Sequence, residues 1–542
     1  MAARLDAAVV LALAVGTLAS RLLVRSAYLY NWDSIQYALG VQRFNVVAHR
    51  PHPPGYFGYI LLGRLFTAIS GGNPELGLTL LSGVAEALAV ALIFLAARAA
   101  WGRFAGVAAA LLFATSPLAW IYGGVALNYA LEPLFAVLVT WLCLRACGGE
   151  RRSLVLGAAT VALAGAIRPT DELFLAAPLA VAAWTAWRRQ QRRTVLLAAV
   201  ALTLATAAWL VPLLVASGGV GPYVTASAQL SARASGTSAV WKAGLGGVAR
   251  NGTAVVAGLA TALGLLVPLG AAYLVTRRLP GGRSSAGAGR HYNLLALAML
   301  APALAVYVLV HIGQLGYLLL LLPTLILPAG MALESLARVI SARHAGALKY
   351  GLLAVCAVAN VAIFALPPGG MRDQVVQHDA NVATLLEMVR RYDPATTLLV
   401  TSAEADGSYR LAQYYLSDYP VVALGRDRRH DAGEMFALPG SRGWQPTAPE
   451  YDLGRFDRAG SVRTPKAATT ILFLDRGAID LVGDRSDASV VLYGDNWRLW
   501  SISPAPAAGA IAAGPYIYFD ATGCPCRGAA LSHPVPEPHQ PL

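Results

Sequence analysis

A succession of apolar stretches, each about the length of a bilayer crossing, constrains this chain more than any other feature. They cover residues 7–25, 76–98, 104–122, 130–147, 154–168, 172–187, 194–216, 251–276, 292–311, 316–337 and 348–366. About 20 apolar residues in a helix span the ~30 Å hydrocarbon core, and fewer suffice in a bundle. The pattern predicts an α-helical polytopic membrane protein of about eleven spans. Composition agrees. Charged residues make up only 13% of the chain and apolar residues 56%, where a soluble protein carries about a quarter charged. A charge at the bilayer centre costs several kcal/mol, which is the pressure that removes it. Charge rises sharply after about residue 367. That shift divides the chain into a transmembrane domain, 1–366, and a second domain, 367–542.

Basic residues set the sidedness. The clusters Arg98 and Arg103; Arg145, Arg151 and Arg152; Arg188, Arg189, Arg192 and Arg193; Arg277, Arg278, Arg283 and Arg290; and Arg338, Arg343 and Lys349 belong on the cytoplasmic side. They fall in alternate loops if 154–187 is a tight hairpin with its tip at Arg168–Asp171. Residues 55–70 are apolar but short and carry Arg64, so they are expected to lie along the outer face as an interfacial helix. The N-terminus is then cytoplasmic and the C-terminal domain extracytoplasmic. Ala19 and Ser20 would suit a signal-peptide cleavage site, but an uncleaved first span is preferred. The outer side receives 26–75, 217–250 and everything after 367.

The net charge of +13 would point to nucleic acid in a soluble protein. Here the basic residues sit at span ends, so no nucleic-acid partner is expected. Cys143, Cys147 and Cys356 read as small core residues. Cys524 and Cys526 flank one proline, which is neither a zinc nor a thioredoxin spacing; they form either a strained disulfide or two free thiols, and the free thiols are preferred. In 367–542, strand-like runs at 397–402, 421–424, 471–474, 489–493 and 517–519 alternate with a helical run at 408–416. They predict a small α/β domain. Residues 426–468, rich in Gly, Pro and charge, are expected to form a long loop, and the Pro-rich 532–542 a frayed tail. No Walker motif, dinucleotide fingerprint, HExxH or nucleophile elbow is present. Neither a cofactor nor a metal is expected.

Residues able to do chemistry gather near the outer face. Asp33 lies just past the first span within Tyr30-Asn31-Trp32-Asp33-Ser34. It is either an ordinary interfacial residue or a carboxylate placed to act as general base on a lipid head group. His49, Arg50 and His52 lie on a segment stiffened by Pro51, Pro53 and Pro54 and followed by Tyr56. Such a segment presents donors to an anion at low entropic cost. Glu86, Glu132, Arg168, Asp171, Glu172 and His311 fall near or inside spans, where an ionisable group is a functional hypothesis by default. Arg168 and Asp171 can equally pair across the hairpin tip, and Glu86 has no evident partner. His311, Gln314 and Tyr317 form a last outer group, with Gly313 and Gly316 between them. Arg233, Lys242 and Arg250, in the 217–250 loop, can cover a lipid phosphate.

Together these residues resemble the GT-C glycosyltransferases, in the branch that includes protein O-mannosyltransferases and aminoarabinose transferases. Asp33 looks like that family's catalytic Asp. His52–Tyr56 is similar to its HPP-type segment, and Trp101-Gly102-Arg103 to its short cytoplasmic turn. Glu132 stands where relatives often carry a second acid, Arg168-Pro169 resembles a recurrent Arg-Pro, and Gly316–Pro323 resembles its Tyr-Leu-Leu run ending in Pro. The resemblance covers about 1–366. The chain departs from the mannosyltransferases in having one acid in the first loop, and Glu for Asp at the second position.

The resemblance implies transfer of a sugar from a polyprenyl-phosphate carrier on the outer face, with inversion, to a hydroxyl of a glycan, lipid or protein. Asp33 would be the base and Glu132 a second catalytic acid. His49, Arg50, His52, Tyr56, Arg168, Arg233, Lys242, Arg250, His311, Gln314 and Tyr317 would contact substrate. The competing classes are a transporter or lipid flippase, and a membrane scaffold. Against the first stands the absence of an internal hydropathy repeat. The second leaves Asp33 and the His-rich loop without a role.

Overall fold

The computed structural model describes residues 2–236, 238–276, 286–366, 370–402, 408–427, 432–437, 461–463, 470–475, 488–493, 498–502 and 510–512. The chain divides into two compact units. One comprises residues 1–27, 41–46 and 53–375, the other 28–40, 47–52 and 376–542.

The first unit is helical. Its helices are α1 (Ala2–Leu23), then, beyond α2 (Trp32–Gln42), α3 (Phe57–Ile69), α4 (Pro74–Trp101), α5 (Arg103–Thr115), α6 (Pro117–Gly123), α7 (Glu132–Cys147), α8 (Arg151–Ile167), α9 (Pro169–Arg188), α10 (Arg192–Ala216), α11 (Val220–Gly236), α12 (Val240–Leu263), α13 (Leu266–Thr276), α14 (Ala286–Leu309), α15 (Leu322–Ile326), α16 (Ala329–Ile340) and α17 (Ala345–Ala365). Local chemistry sets their ends. The Asn73 side chain accepts from Leu76 N–H and Pro74 takes the first helical position, so α4 starts there. Gly102, at φ 91°, separates α4 from α5. Pro117 cannot donate into the preceding turn, and α6 leaves α5 at 62°. Gly264, at φ 51°, lets α13 leave α12 at 93°.

Seven helices among the described residues are long and apolar enough to cross a membrane, or nine if each bent pair counts as one span. The expected eleven are therefore not reached. The hairpin 154–187 does form, as α8 and α9. But α8 has 17 residues and opens on Arg151 and Arg152, while α9 carries Asp171, Glu172 and Arg188. At 13 residues, α3 is too short to cross, rising only about 20 Å. Residues 217–250, expected as a loop, are largely helical, with Arg233 on α11 and Lys242 and Arg250 on α12.

Small residues let these helices approach closely. A Cβ on Gly58 would lie 2.8 Å from the Ala166 Cβ, and one on Gly77 2.6 Å from the Thr67 Cα. Lipid tails are as apolar as Leu, so close backbone packing of this kind takes over the role that hydrophobic burial plays in water.

The second unit contains α2 up to residue 40, α18 (Met371–Val389) from residue 376, α19 (Ser408–Tyr415) and strands β1 (Thr397–Ser402), β2 (Val421–Asp427), β3 (Ala432–Ala437), β4 (Ser461–Arg463), β5 (Thr470–Phe473), β6 (Ala488–Tyr493), β7 (Arg498–Ile502) and β8 (Ala510–Ala512). Six strands form one sheet in the order β3-β2-β1-β5-β7-β6, and β4 pairs with β8. The central strands β2, β1 and β5 are parallel, with α19 carrying the crossover from β1 to β2. The expected α/β character holds. The stretch 426–468, read as loop, contributes β3 and β4, because pairing with β2 and β8 supplies what local composition does not. The expected strand at 517–519, Cys524 and Cys526, and the 532–542 tail lie outside the described residues. Apolar side chains of α18, α19, β1 and β5 make the core, including Leu386, Val389, Leu399, Ala412 and Leu472, and Tyr28 and Trp32 pack against it.

Candidate functional site

In the second unit, chemistry converges on α2 and the segment 47–52. The Asn31 carboxamide oxygen accepts from Asp33 N–H at 2.9 Å, capping α2 and fixing Asp33 in its first turn. The Asp33 Oδ1 lies 3.6 Å from His52 Nδ1, and both side chains are buried. His52 Nδ1 is also 3.0 Å from Gln36 Oε1, one turn along α2. The imidazole is thus gripped on one edge by two groups of the same helix face, while Tyr37 packs 5.9 Å from it. His49 is buried and sits at φ 54°. A left-handed conformation at a residue with a Cβ costs roughly 1–3 kcal/mol and persists only where its surroundings impose it. Arg50 is half-buried. The packing of α2 is set by Tyr28 and Trp32, whose rings lie 5.8 Å from Tyr415 and 5.9 Å from Tyr409. The Tyr415 hydroxyl accepts from Leu29 N–H at 2.9 Å.

Tyr30 and His378 face one another at 5.0 Å. Burial raises the Tyr30 pKa, with Asp379 adding to it. Burial also lowers that of His378, against the opposing pull of Asp379.

In the first unit the central feature is a buried ion pair. Arg168 Nη1 donates to Glu132 Oε1 at 2.8 Å and lies 3.9 Å from Asp171 Oδ1. The guanidinium sits 3.9 Å above the Tyr317 ring centroid and 5.2 Å from that of Tyr129. Tyr307 closes the cage, 5.6 Å from Tyr317. Arg168 precedes Pro169, which starts α9, and Glu132 opens α7, so two helix starts are joined at their charged residues. Gly316 makes the cage possible: a Cβ there would lie 2.5 Å from the Tyr129 ring and 2.6 Å from that of Tyr122. Arg168 is therefore committed to protein groups and not presented to solvent. The hairpin-tip pairing with Asp171 is secondary to its bond with Glu132.

Beside this cage, His311 Nδ1 is 3.0 Å from Ser238 Oγ. Gln314 is half-buried, while Lys242 and Arg250 are exposed. The Arg233 side chain lies outside what is described. Tyr56, at φ 46°, is buried and caps α3, and the neighbouring Pro54 carbonyl accepts from the Tyr223 hydroxyl at 3.2 Å.

One pair escaped the sequence reading. Arg21, near the end of α1, donates through Nε to Glu86 Oε2 of α4 at 2.8 Å, with Trp120 5.2 Å from the guanidinium. Two lone opposite charges in neighbouring apolar runs were the available signal, since neither is stable in hydrocarbon unpaired.

Residues 51–211 match the family model described as dolichyl-phosphate-mannose-protein mannosyltransferase. The structure of ArnT from Cupriavidus metallidurans bound to undecaprenyl phosphate is similar with a TM-score of 0.59, at 12% identity, covering 92% of this chain and 98% of that one. Its apo state gives a TM-score of 0.54 at 13% identity, covering 93% and 98%. The Archaeoglobus fulgidus oligosaccharyltransferase gives 0.49 at 15% identity, covering 86% and 68%. No curated protein sequence matches significantly.

The fold and the apolar helices define an integral membrane protein built on the ArnT architecture. The expected GT-C resemblance thus has support in sequence over residues 51–211, which match the mannosyltransferase family model, and in fold through the ArnT structure.

Proposed function

We propose that the protein transfers a sugar from a polyprenyl-phosphate carrier to an acceptor hydroxyl on the outer face of the membrane, with inversion. The observation that carries this reading is the Asp33–His52 pair, a buried carboxylate 3.6 Å from an imidazole in the segment that follows the first apolar helix. The family model matched by 51–211 is named for transfer from a lipid-phosphate sugar, and the similar ArnT structure holds undecaprenyl phosphate. Both support a lipid-phosphate donor.

In the proposed step, Asp33 takes the proton of the acceptor hydroxyl as its oxygen attacks the anomeric carbon. The bond from that carbon to the phosphate oxygen breaks, and the polyprenyl phosphate leaves with the electron pair. Nearby cations stabilise the charge on the leaving phosphate. His49 and Arg50 are assigned that role. His52 orients Asp33. Arg168 and Glu132 act as positioning residues that hold Tyr317.

Asp33→Asn tests the reading. It keeps side-chain size but removes the basic lone pair, so turnover falls by ~10²–10⁴ while donor binding persists. Glu132→Gln costs less. Wild-type turnover in Asp33→Asn, with loss in Glu132→Gln, would reverse the two roles.

A further inference from the structure

Two turns at one end of the helical unit form a basic platform. The α7–α8 turn carries Glu150, Arg151 and Arg152, and the α9–α10 turn carries Arg188, Arg189, Arg192 and Arg193. Side chains and backbone pin the two turns together. The Gln191 carboxamide donates through Nε2 to the Gly149 carbonyl at 3.4 Å, and Cys147 Sγ lies 3.9 Å from Thr185 Oγ1. A Cβ on Gly149 would lie 2.9 Å from Arg189 Nη1, so this guanidinium lies against the other turn. Helices α7, α8 and α9 have 16, 17 and 20 residues. That makes them about 24–30 Å long. Each has one end at the platform and the other at the Arg168 cage, a separation close to the ~30 Å hydrocarbon thickness.

Basic residues at the ends of spans are general in membrane proteins. This cluster differs in that its charge is not cancelled from within. Arg98 and Arg103 both grip Asp6, and Arg338 and Lys349 share Glu334. On the platform, Glu150 is taken by Arg145, whose Nε and Nη2 donate to its two oxygens at 2.6 and 2.9 Å. Among the described residues, no carboxylate lies within ion-pair distance of Arg151, Arg152, Arg188, Arg189, Arg192 or Arg193, and all six are exposed. The same edge is aromatic. Trp184 and Trp187 on α9 are 65% and 43% exposed, and the Arg192 guanidinium lies 5.2 Å from the Trp187 ring centroid. Exposed indoles beside a row of arginines belong at the depth of phospholipid head groups. A soluble polyanion would use the arginines alone, whereas an anion with acyl chains uses both.

We propose that these two turns form a binding site for anionic phospholipid head groups, at the membrane face opposite the Arg168 cage. The guanidinium groups hold phosphodiester oxygens through paired hydrogen bonds. Trp184 and Trp187 pack beside the glycerol and the first acyl carbons. A phosphate held by both turns clamps the far ends of the helices that carry Glu132 and Arg168. The site is separate from sugar transfer and stands if that reading fails.

Native mass spectrometry of the full chain, purified in detergent, tests the site with phosphatidylglycerol and phosphatidylcholine as probes. One arginine near an anionic head group is worth about fivefold in affinity. Phosphatidylglycerol should therefore bind at least about 25-fold more tightly than phosphatidylcholine. Arg189→Gln should lose about fivefold of that affinity, and Arg189→Gln/Arg192→Gln about 25-fold, down to the level of phosphatidylcholine. Arg343→Gln removes an exposed arginine from the turn between α16 and α17 and should lose nothing. Circular dichroism checks that each variant is folded, and the single variant decides if the double one is not. Equal losses in Arg189→Gln and Arg343→Gln overturn the site, as does equal affinity of the wild type for the two lipids. Displacement of bound phosphatidylglycerol by an equal concentration of inorganic phosphate also overturns it, because the arginines would then serve a soluble anion.

Discussion

Removing Arg168 and removing Glu132 should have very different costs, although the two form one ion pair. Arg168 is buried and stands 2.8 Å from Glu132 and 3.9 Å from Asp171. Arg168→Met takes the guanidinium from two buried carboxylates at once and removes the stacking on Tyr317 and Tyr129. Stranding one buried partner of an ion pair costs about 3–5 kcal/mol. Glu132→Gln leaves Arg168 with Asp171 as counter-charge, and the carboxamide oxygen still accepts at the same position. What is lost is the charge assistance of one hydrogen bond, about 1 kcal/mol. The difference between the variants is therefore on the order of 2–4 kcal/mol. Unfolding of the purified protein in mixed micelles by SDS titration, followed by far-ultraviolet circular dichroism, measures both. Equal destabilisation, or less than about 1 kcal/mol for Arg168→Met, would refute the claim that this guanidinium holds the ends of α7 and α9 together.

Three further outcomes are expected. Arg50→Ala should weaken donor binding by about 1.5–3 kcal/mol, the worth of a charge-assisted hydrogen bond, with little change in unfolding; unchanged affinity would move the phosphate contact to Lys242 or Arg250. Gly316→Ala should cost about 1–3 kcal/mol in the same unfolding assay, because its methyl would press on Tyr129 and Tyr122; a neutral result would mean those rings move freely. His311 and His378 both have pKa values lowered in the folded protein, chiefly by burial. Stability from these groups is full above the unfolded value of about 6.5 and is lost as pH falls below it, because the unfolded chain takes up protons first. Melting temperature should therefore drop on going from pH 7.5 to 5.5, and the drop should shrink in His311→Gln/His378→Gln.

Much of the helical unit was legible because bilayer length and the scarcity of charge leave few alternatives. Gly102 marked the α4–α5 break, and Arg168-Pro169 the start of α9. What the sequence hid was partnership. Glu132 and Arg168 were each singled out, but nothing in their spacing of thirty-six residues says that one guanidinium would serve two carboxylates and two tyrosines. The Arg21–Glu86 pair was missed for the same reason. Bent spans were also invisible to a count of apolar residues: Ser116-Pro117 and Gly264 each break an apolar run that reads as continuous. In the second unit β3 and β4 exist through their partners, and local Gly and Pro content argued against them. Asp33 and the His49–His52 segment were each recognisable, but the 3.6 Å approach of Asp33 to His52 depends on the chain returning from α2 through residues 47–52.

The central claim is that a lipid-linked sugar is consumed. Purified protein in sealed vesicles, given undecaprenyl-phosphate-linked sugars radiolabelled in the sugar together with membrane extract as acceptor, tests it most directly. The expected result is loss of donor matched by release of undecaprenyl phosphate, a glycosylated product of inverted anomeric configuration, and collapse of both in Asp33→Asn. Recovery of the donor intact, moved from one leaflet to the other, would contradict the account and identify a flippase.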